Sequence, residues 1–209
     1  VATSSVVPIP NGGGTFVYAA HSLATTPGVV ALYNAESGFT PTTKGGDLSA
    51  ALYKGGAGGA GFSSFIFVNL SGQASTNSGY ILGLSDSEPA HLELRKGTLA
   101  TGLPDVAPGT SGVLRRSTAT YALGAWVQVR LEVILEPTGD VVLNVYQSNV
   151  VANVVTSPVW AAVPGMAAYT DDVLQVNTGT APLPSGRMGF GMTCSEINRI
   201  AAWDQIDPK

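Results

Sequence analysis

Apolar and polar residues alternate with a period of two along much of the chain. The clearest case runs from Trp126 to Tyr146, and the apolar positions of its first half are Val127, Val129, Leu131, Val133 and Leu135. This spacing places five apolar side chains on one face of a long strand. Residues 137–140 (PTGD) then supply turn chemistry, and the alternation resumes at Val141. The pattern predicts a β-hairpin with one buried face.

Shorter runs of the same kind occur from end to end, separated by clusters of Gly, Pro, Asn, Asp and Ser at hairpin-like spacing. No stretch of the sequence shows a sustained helical period, and 26 glycines and 13 prolines would interrupt one. The predicted strands are 15–20, 28–34, 49–53, 63–69, 79–85, 91–96, 112–117, 126–136, 140–147, 158–162, 186–193 and 198–206. The predicted fold class is therefore all-β, a two-sheet antiparallel β-sandwich.

The space between two such sheets is filled by large side chains. Glycine is needed where another group approaches a strand closely. Large side chains for the space between the sheets are supplied by Trp126, Trp160 and Trp203. Gly186, Gly189 and Gly191 lie in one strand-like run, where glycine lowers stability unless another group crowds that face. The glycines therefore predict a crowded strand.

The length of 209 residues suits one sandwich domain with a single core. Residues 1–14 are apolar and interrupted by Pro and Gly, which predicts an extended N-terminal arm before a single β-sandwich domain at 15–209. The first residues lack the features of a signal peptide, and no apolar run approaches the length of a membrane span. We expect no membrane association, and either cytoplasmic synthesis or secretion after removal of a signal.

The chain carries little charge, with 11% charged residues and a formal net charge of −4, against about 25% charged residues in ordinary domains. It has no basic field for a phosphate backbone, so nucleic acid is not an expected partner. Its four lysines are Lys44, Lys54, Lys96 and Lys209. A surface so poor in flexible charge favours coverage by neighbours, and we expect a homo-oligomer or assembly with other proteins.

Three segments of the second half together resemble the concanavalin A-like and laminin-G-like jelly rolls. They are WVQVRLEVILEPTGDVVLNVYQ, PSGRMGFGMTC and NRIAAWDQIDP. In that family a Trp-led strand pairs with the next strand, a glycine-spaced strand follows, and a closing strand returns beside the N-terminus. The upstream segments SSFIFVNLSGQASTNSGYILGLSD and HLELRKG fit the same order, so the resemblance covers residues 60–207. It implies a concanavalin-like jelly roll.

Because such folds include glycoside hydrolases, paired carboxylates are the first chemistry to look for. That reaction needs two carboxylates roughly 5 to 9.5 Å apart. Glu132 and Glu136 share a strand face but lie about 13 Å apart at strand rise, and Asp86 with Glu88 falls in a predicted turn. Neither histidine accompanies a Gly-x-Ser-x-Gly motif. We therefore predict no catalytic residues and no enzymatic activity.

A rim calcium ion is the second chemistry, since laminin-G-like and lectin sandwiches often hold one. Oxygen ligands in predicted loops are Asp86, Asp171, Asp172 and Asn177. The sequence has no EF-hand spacing and no His/Cys cluster, and an ordinary polar loop explains Asp171 and Asp172 equally well. No cofactor is predicted, and Ca²⁺ at these residues is kept as a hypothesis.

These observations favour a non-enzymatic structural or adhesion module. The resemblance extends to bacteriophage head-decoration and tail-associated proteins, which implies a virion surface protein that packs on neighbouring subunits and contacts host glycans. The alternatives are a secreted lectin-like carbohydrate-binding domain and, third, a divergent glycoside hydrolase. Arg130, Glu132 and Asn144 lie on the side of the long hairpin opposite its apolar residues. That side is either a solvated surface or a ligand-facing sheet.

Overall fold

A computed structural model describes ten segments of the protein. They are residues 18–21, 28–33, 46–55, 62–71, 78–85, 87–98, 113–151, 158–174, 180–194 and 200–208. The predicted N-terminal arm, residues 1–14, lies outside them. Within them no helix is long and apolar enough to cross a membrane.

The described segments form thirteen strands and no helix. The strands are β1 Tyr18–His21, β2 Gly28–Tyr33, β3 Gly46–Tyr53, β4 Phe62–Leu70, β5 Ser78–Ser85, β6 Leu92–Thr98, β7 Val113–Arg116, β8 Trp126–Leu135, β9 Val141–Val151, β10 Ala161–Ala162, β11 Tyr169–Asp171, β12 Arg187–Cys194 and β13 Ile200–Pro208. Each of the twelve predicted strands has a counterpart. The short strand β11 was not predicted, because three residues are too few to show an alternating pattern.

The strands form two antiparallel sheets. Sheet A has the order β1-β13-β3-β8-β9-β10, with β11 also paired to β9, and sheet B has the order β2-β12-β4-β5-β6-β7. In both sheets a late strand lies between two early ones: β13 between β1 and β3, and β12 between β2 and β4. This confirms the predicted all-β, two-sheet antiparallel sandwich of the concanavalin-like jelly-roll kind.

The main core lies between the sheets and takes up one face of β3, β4, β5, β6, β8 and β9. On β8 it takes up Val127, Val129, Leu131 and Val133, with Leu135 partly buried against it, as the alternation predicts. Sheet B contributes Ile66 and Val68 of β4 and Leu82 and Leu84 of β5. Burial of such side chains stabilises the fold by about 25 cal/mol for each Å² of apolar surface that is removed from water.

Trp126 does not fill the space between the sheets as predicted. It alternates with Val127, which faces the core, so Trp126 lies on the outer side of sheet A and packs against Tyr53 at a ring-centroid distance of 5.1 Å. It is nevertheless 1% exposed. Trp160 is half-buried, and the side chain of Trp203 lies outside what the structure describes.

Gly186, just before β12, confirms the predicted crowding. A Cβ atom there would lie within 3.0 Å of the backbone of Asn69 and Leu70. Asn69 is fully buried, has a φ of 54°, and donates a 2.6 Å hydrogen bond from Nδ2 to the Leu183 carbonyl. Asparagine tolerates this left-handed backbone better than most residues. Gly186 therefore lets residues 183–186 lie directly on the corner at the end of β4.

Candidate functional site

A strip of polar side chains crosses the outer side of sheet A on three neighbouring strands. Asp47 of β3, Glu132 of β8 and Asn144 of β9 form one cross-strand row, and the next row pairs Arg130 of β8 with Tyr146 of β9. Their alternation partners face the core, so these five side chains point away from it. We call this set of five residues the polar face.

Arg130 and Glu132 connect the polar face into one network. Arg130 Nη2 lies 2.6 Å from Asp47 Oδ2 and 3.5 Å from Glu132 Oε1. Glu132 Oε2 accepts hydrogen bonds from Asn144 Nδ2 at 2.9 Å and from the Tyr146 hydroxyl at 3.1 Å. The guanidinium also lies 5.5 Å from the centroid of the Tyr146 ring. Each side chain is therefore held in place by at least one other.

The polar face is partly open to solvent. The side chains of Arg130, Glu132 and Asp47 are 28%, 20% and 11% exposed. The pKa of Tyr146 is raised, first by burial and then by the charge and hydrogen bond of Glu132, while Arg130 lowers it in part. The Tyr146 hydroxyl consequently keeps its proton at neutral pH and remains a hydrogen-bond donor.

Towards Trp126 the same side of the sheet is closed. Ala51, Gln128 and Trp126 are at most 2% exposed. Among the described residues, three buried polar atoms on this side have no hydrogen-bond partner: Trp126 Nε1, Arg130 Nε and Ser148 Oγ. Buried polar groups in native structures are nearly always paired, so these three are exceptions.

A second polar group joins the two sheets at the rim of the sandwich. Lys96 of β6 in sheet B lies 2.6 Å from Asp171 of β11 in sheet A, and Asp171 also accepts a 2.5 Å hydrogen bond from the Tyr80 hydroxyl. All three side chains are buried. Lys96 further donates to the carbonyls of Thr180 and Ala181 at 3.1 and 2.8 Å. Burial, and then the bond to Asp171, raise the pKa of Tyr80. These buried contacts indicate that the cross-sheet network has a structural role.

A third group, on the outer side of sheet B, is also buried. Glu93, 0% exposed, forms ion pairs with Arg95 of its own strand and Arg116 of β7. The Arg95 guanidinium lies 4.5 Å from the centroid of the Phe62 ring. Phe62 belongs to a small separate cluster with Phe65, Phe67, Leu70 and Ile81. Arg95 and Lys96 are thus buried in ion pairs, although adjacent cations in a sequence ordinarily indicate a solvated strand end.

An open cleft of about 580 Å³ lies at the end of the sandwich beside the cross-sheet network. It is lined by Leu135, Glu136, Pro137, Gly139, Val173, Ala181, Pro182 and Pro184. Among the described residues, Glu136 is the only charged side chain of this lining. Small-molecule sites combine apolar walls with several convergent polar groups, which makes the cleft a weaker candidate than the polar face.

The predicted calcium ligands are not brought together among the described residues. Asp171 contacts Lys96 and Tyr80 and lies in β11 instead of a loop, and Asp172 is half-buried beside it. Asp86 and Asn177 lie outside the described segments, so calcium binding there stays a prediction. Within those segments no group of three His, Cys, Asp or Glu residues could hold a metal ion.

Sequence reasoning found part of the polar face and missed the rest. The alternation of the hairpin placed Arg130, Glu132 and Asn144 on one side, and the structure confirms that placement. Asp47 was missed because the predicted strand begins at residue 49, whereas β3 begins at Gly46. Its pairing with Glu132 joins positions 85 residues apart, and no local pattern contains that information.

Comparisons with known proteins show similarity in fold only. No protein-family model and no curated protein matches the chain. Solved structures similar to it include a legume lectin-like domain from Entamoeba histolytica, at 9% identity and a TM-score of 0.45 over 92% of this chain and 89% of that one. The marine PL-14 alginate lyase from Aplysia kurodai is 12% identical, with a TM-score of 0.48 over 92% and 82% of the two chains. Alginate lyase Aly36B is 9% identical, with a TM-score of 0.45 over 92% and 80%. Similarities at this level transfer no function.

Proposed function

We propose that this protein is a non-catalytic carbohydrate-binding module whose polar face binds a saccharide. The observation that carries the proposal is the Arg130-centred network, in which donors and acceptors are held in place on a partly exposed strip of the sheet. Sugars present many hydroxyl groups, and each needs a fixed partner. Side chains that are already ordered lose less entropy when the ligand binds, which favours affinity.

The two carboxylates of the polar face suit binding better than catalysis. Asp47 and Glu132 are directly opposed on neighbouring strands, which brings their Cβ atoms to about 4.5–5.5 Å. Glycoside hydrolysis would need one of them to give a proton to the leaving oxygen. Instead both contact Arg130, and Glu132 also accepts hydrogen bonds from Asn144 and Tyr146. These contacts are those of acceptors that organise neighbouring donors.

Replacing Glu132 with Gln is expected to weaken saccharide binding at least tenfold. The change removes the charge that holds Asn144 and Tyr146, and a hydrogen bond to a charged group is worth about 1.5–3 kcal/mol, with 1.4 kcal/mol per factor of ten. A glycan array would select the strongest oligosaccharide, and isothermal titration calorimetry would measure its dissociation constant for both proteins.

The matched control is Glu136→Gln, the same chemical change at an exposed position beyond the end of β8. It is expected to bind like the wild type. Equal losses in both variants would contradict a site at the polar face. Release of reducing sugar by the wild type, abolished by Glu132→Gln, would instead establish a hydrolase and overturn the non-catalytic part of the proposal.

A role on a particle surface, such as a virion, is a second proposal, and the placement of the lysines favours it. Lys54 and Lys96, two of the four lysines, are buried at 0% and 8% exposure. At the same time Val159 and Leu174 are 82% and 81% exposed. A surface with little flexible charge and exposed apolar side chains suits subunit packing. Repeated copies would also raise the avidity of weak glycan binding.

The assembly proposal predicts a mass above that of one chain in solution. Size-exclusion chromatography with light scattering at micromolar concentration is expected to give an integral multiple of 21.3 kDa. Val159→Asp together with Leu174→Asp is expected to lower the mass, since charge disfavours an apolar interface. A monomeric mass at every concentration would contradict assembly and leave the carbohydrate proposal intact.

A further inference from the structure

The polar face carries an excess of negative charge. Its charged side chains are Asp47, Glu132 and Arg130, so two carboxylates face one guanidinium and the sum is one negative charge. Acids therefore outnumber cations on the polar face.

The one cation of the polar face is already engaged. Arg130 Nη2 contacts both Asp47 and Glu132, and the guanidinium lies over the Tyr146 ring. A carboxylate on an incoming sugar would have to share this guanidinium with two resident carboxylates at short range. Like charges at this distance repel in a partly desolvated site.

A neutral sugar fits the same groups without this conflict. Its hydroxyl groups donate to the carboxylate oxygens of Asp47 and Glu132, and its oxygens accept from the partly exposed guanidinium of Arg130. The polar face covers three strands and two residue rows, which is about 10 Å by about 7 Å from the strand spacing and rise. That area matches a short determinant of one or two sugar rings.

We propose that the polar face recognises a short neutral saccharide and discriminates against acidic sugars such as uronates, because Asp47 and Glu132 outnumber Arg130. The inference rests on the proposed carbohydrate binding and specifies its ligand class. It assigns the carboxylates two tasks, which are to accept hydrogen bonds from hydroxyls and to exclude acidic sugars.

The test compares neutral and acidic oligosaccharides with the wild type and with the double variant Asp47→Asn/Glu132→Gln. The probes are gluco- and manno-oligosaccharides on one side and oligomers of mannuronate and guluronate on the other, in calorimetric titrations at low and high salt. The double variant changes the charge of the polar face from −1 to +1. Glu136→Gln is the control for the loss of an acid outside the site, and circular dichroism verifies that each variant is folded.

The wild type is expected to bind a neutral probe at least tenfold more tightly than any uronate. The double variant is expected to lose that preference and to gain uronate binding that weakens as salt is added. Tighter binding of uronates by the wild type would overturn the charge inference and leave carbohydrate binding standing. Binding of neither class would overturn the proposed function, and this inference with it.

Discussion

Replacing Lys96 with Met is expected to lower the free energy of unfolding by about 3–5 kcal/mol, since removing one partner of a buried ion pair leaves the other charge uncompensated. Asp171 is 0% exposed and would keep the Tyr80 hydrogen bond but lose its cation. The carbonyls of Thr180 and Ala181 would lose the donor they share. Urea denaturation followed by tryptophan fluorescence would measure the change.

The double variant Lys96→Met/Asp171→Leu separates the loss of an ion pair from damage to packing. It removes both charges, so part of the stability lost in Lys96→Met is expected to return. A loss below about 1 kcal/mol in the single variant, the range of exposed pairs, would contradict the structural role given to this cross-sheet network. A double variant less stable than the single one would show that packing dominates.

Replacing Gly186 with Ala is expected to destabilise the protein by about 1–3 kcal/mol, the usual cost of overpacking. The added Cβ would overlap the backbone of Asn69 and Leu70, which cannot turn away as a flexible side chain can. Residues 183–186 would have to shift, and that shift would lengthen the 2.6 Å hydrogen bond from Asn69 to the Leu183 carbonyl. The midpoint of thermal unfolding is expected to fall by several degrees.

Gly97 of β6 offers a matched control for that experiment. A Cβ atom at Gly97 would have no atom within 4 Å. Gly97→Ala is therefore expected to leave stability unchanged or to raise it by about 0.4–1 kcal/mol through a less flexible unfolded chain. Similar losses in both variants would attribute the effect to glycine itself and not to the contact with Asn69.

The strands and the outer side of the long hairpin could be predicted because both are local properties. Alternation around Val127 and Leu131 reports which side chains face the core, and it separates them from Arg130 and Glu132. The burial of Lys96 and Asp171 could not be predicted in this way. A polar residue in a local pattern indicates exposure, whereas these two are buried because β6 and β11 meet across the rim of the two sheets.

The partners within the polar face show the same limit. Asp47 contacts Arg130 because β3 pairs with β8, and pairing between distant strands depends on the whole topology. Trp126 is a further case: its size indicated a place between the sheets, but its position beside Val127 puts it on the outer side of sheet A. Size alone does not determine which side of a sheet buries a side chain.

The strand order also constrains how the chain folds as it is synthesised. Strand β13 must enter sheet A between β1 and β3, and β12 must enter sheet B between β2 and β4. Both leave the ribosome after every strand they pair with, so β3 keeps an unpaired edge while residues 54–199 are added, and β4 keeps one while residues 71–186 are added. Such non-local pairing slows folding. Unpaired edges invite association between nascent chains, and expression at lower temperature or with chaperones that bind extended segments should therefore improve the yield of soluble protein.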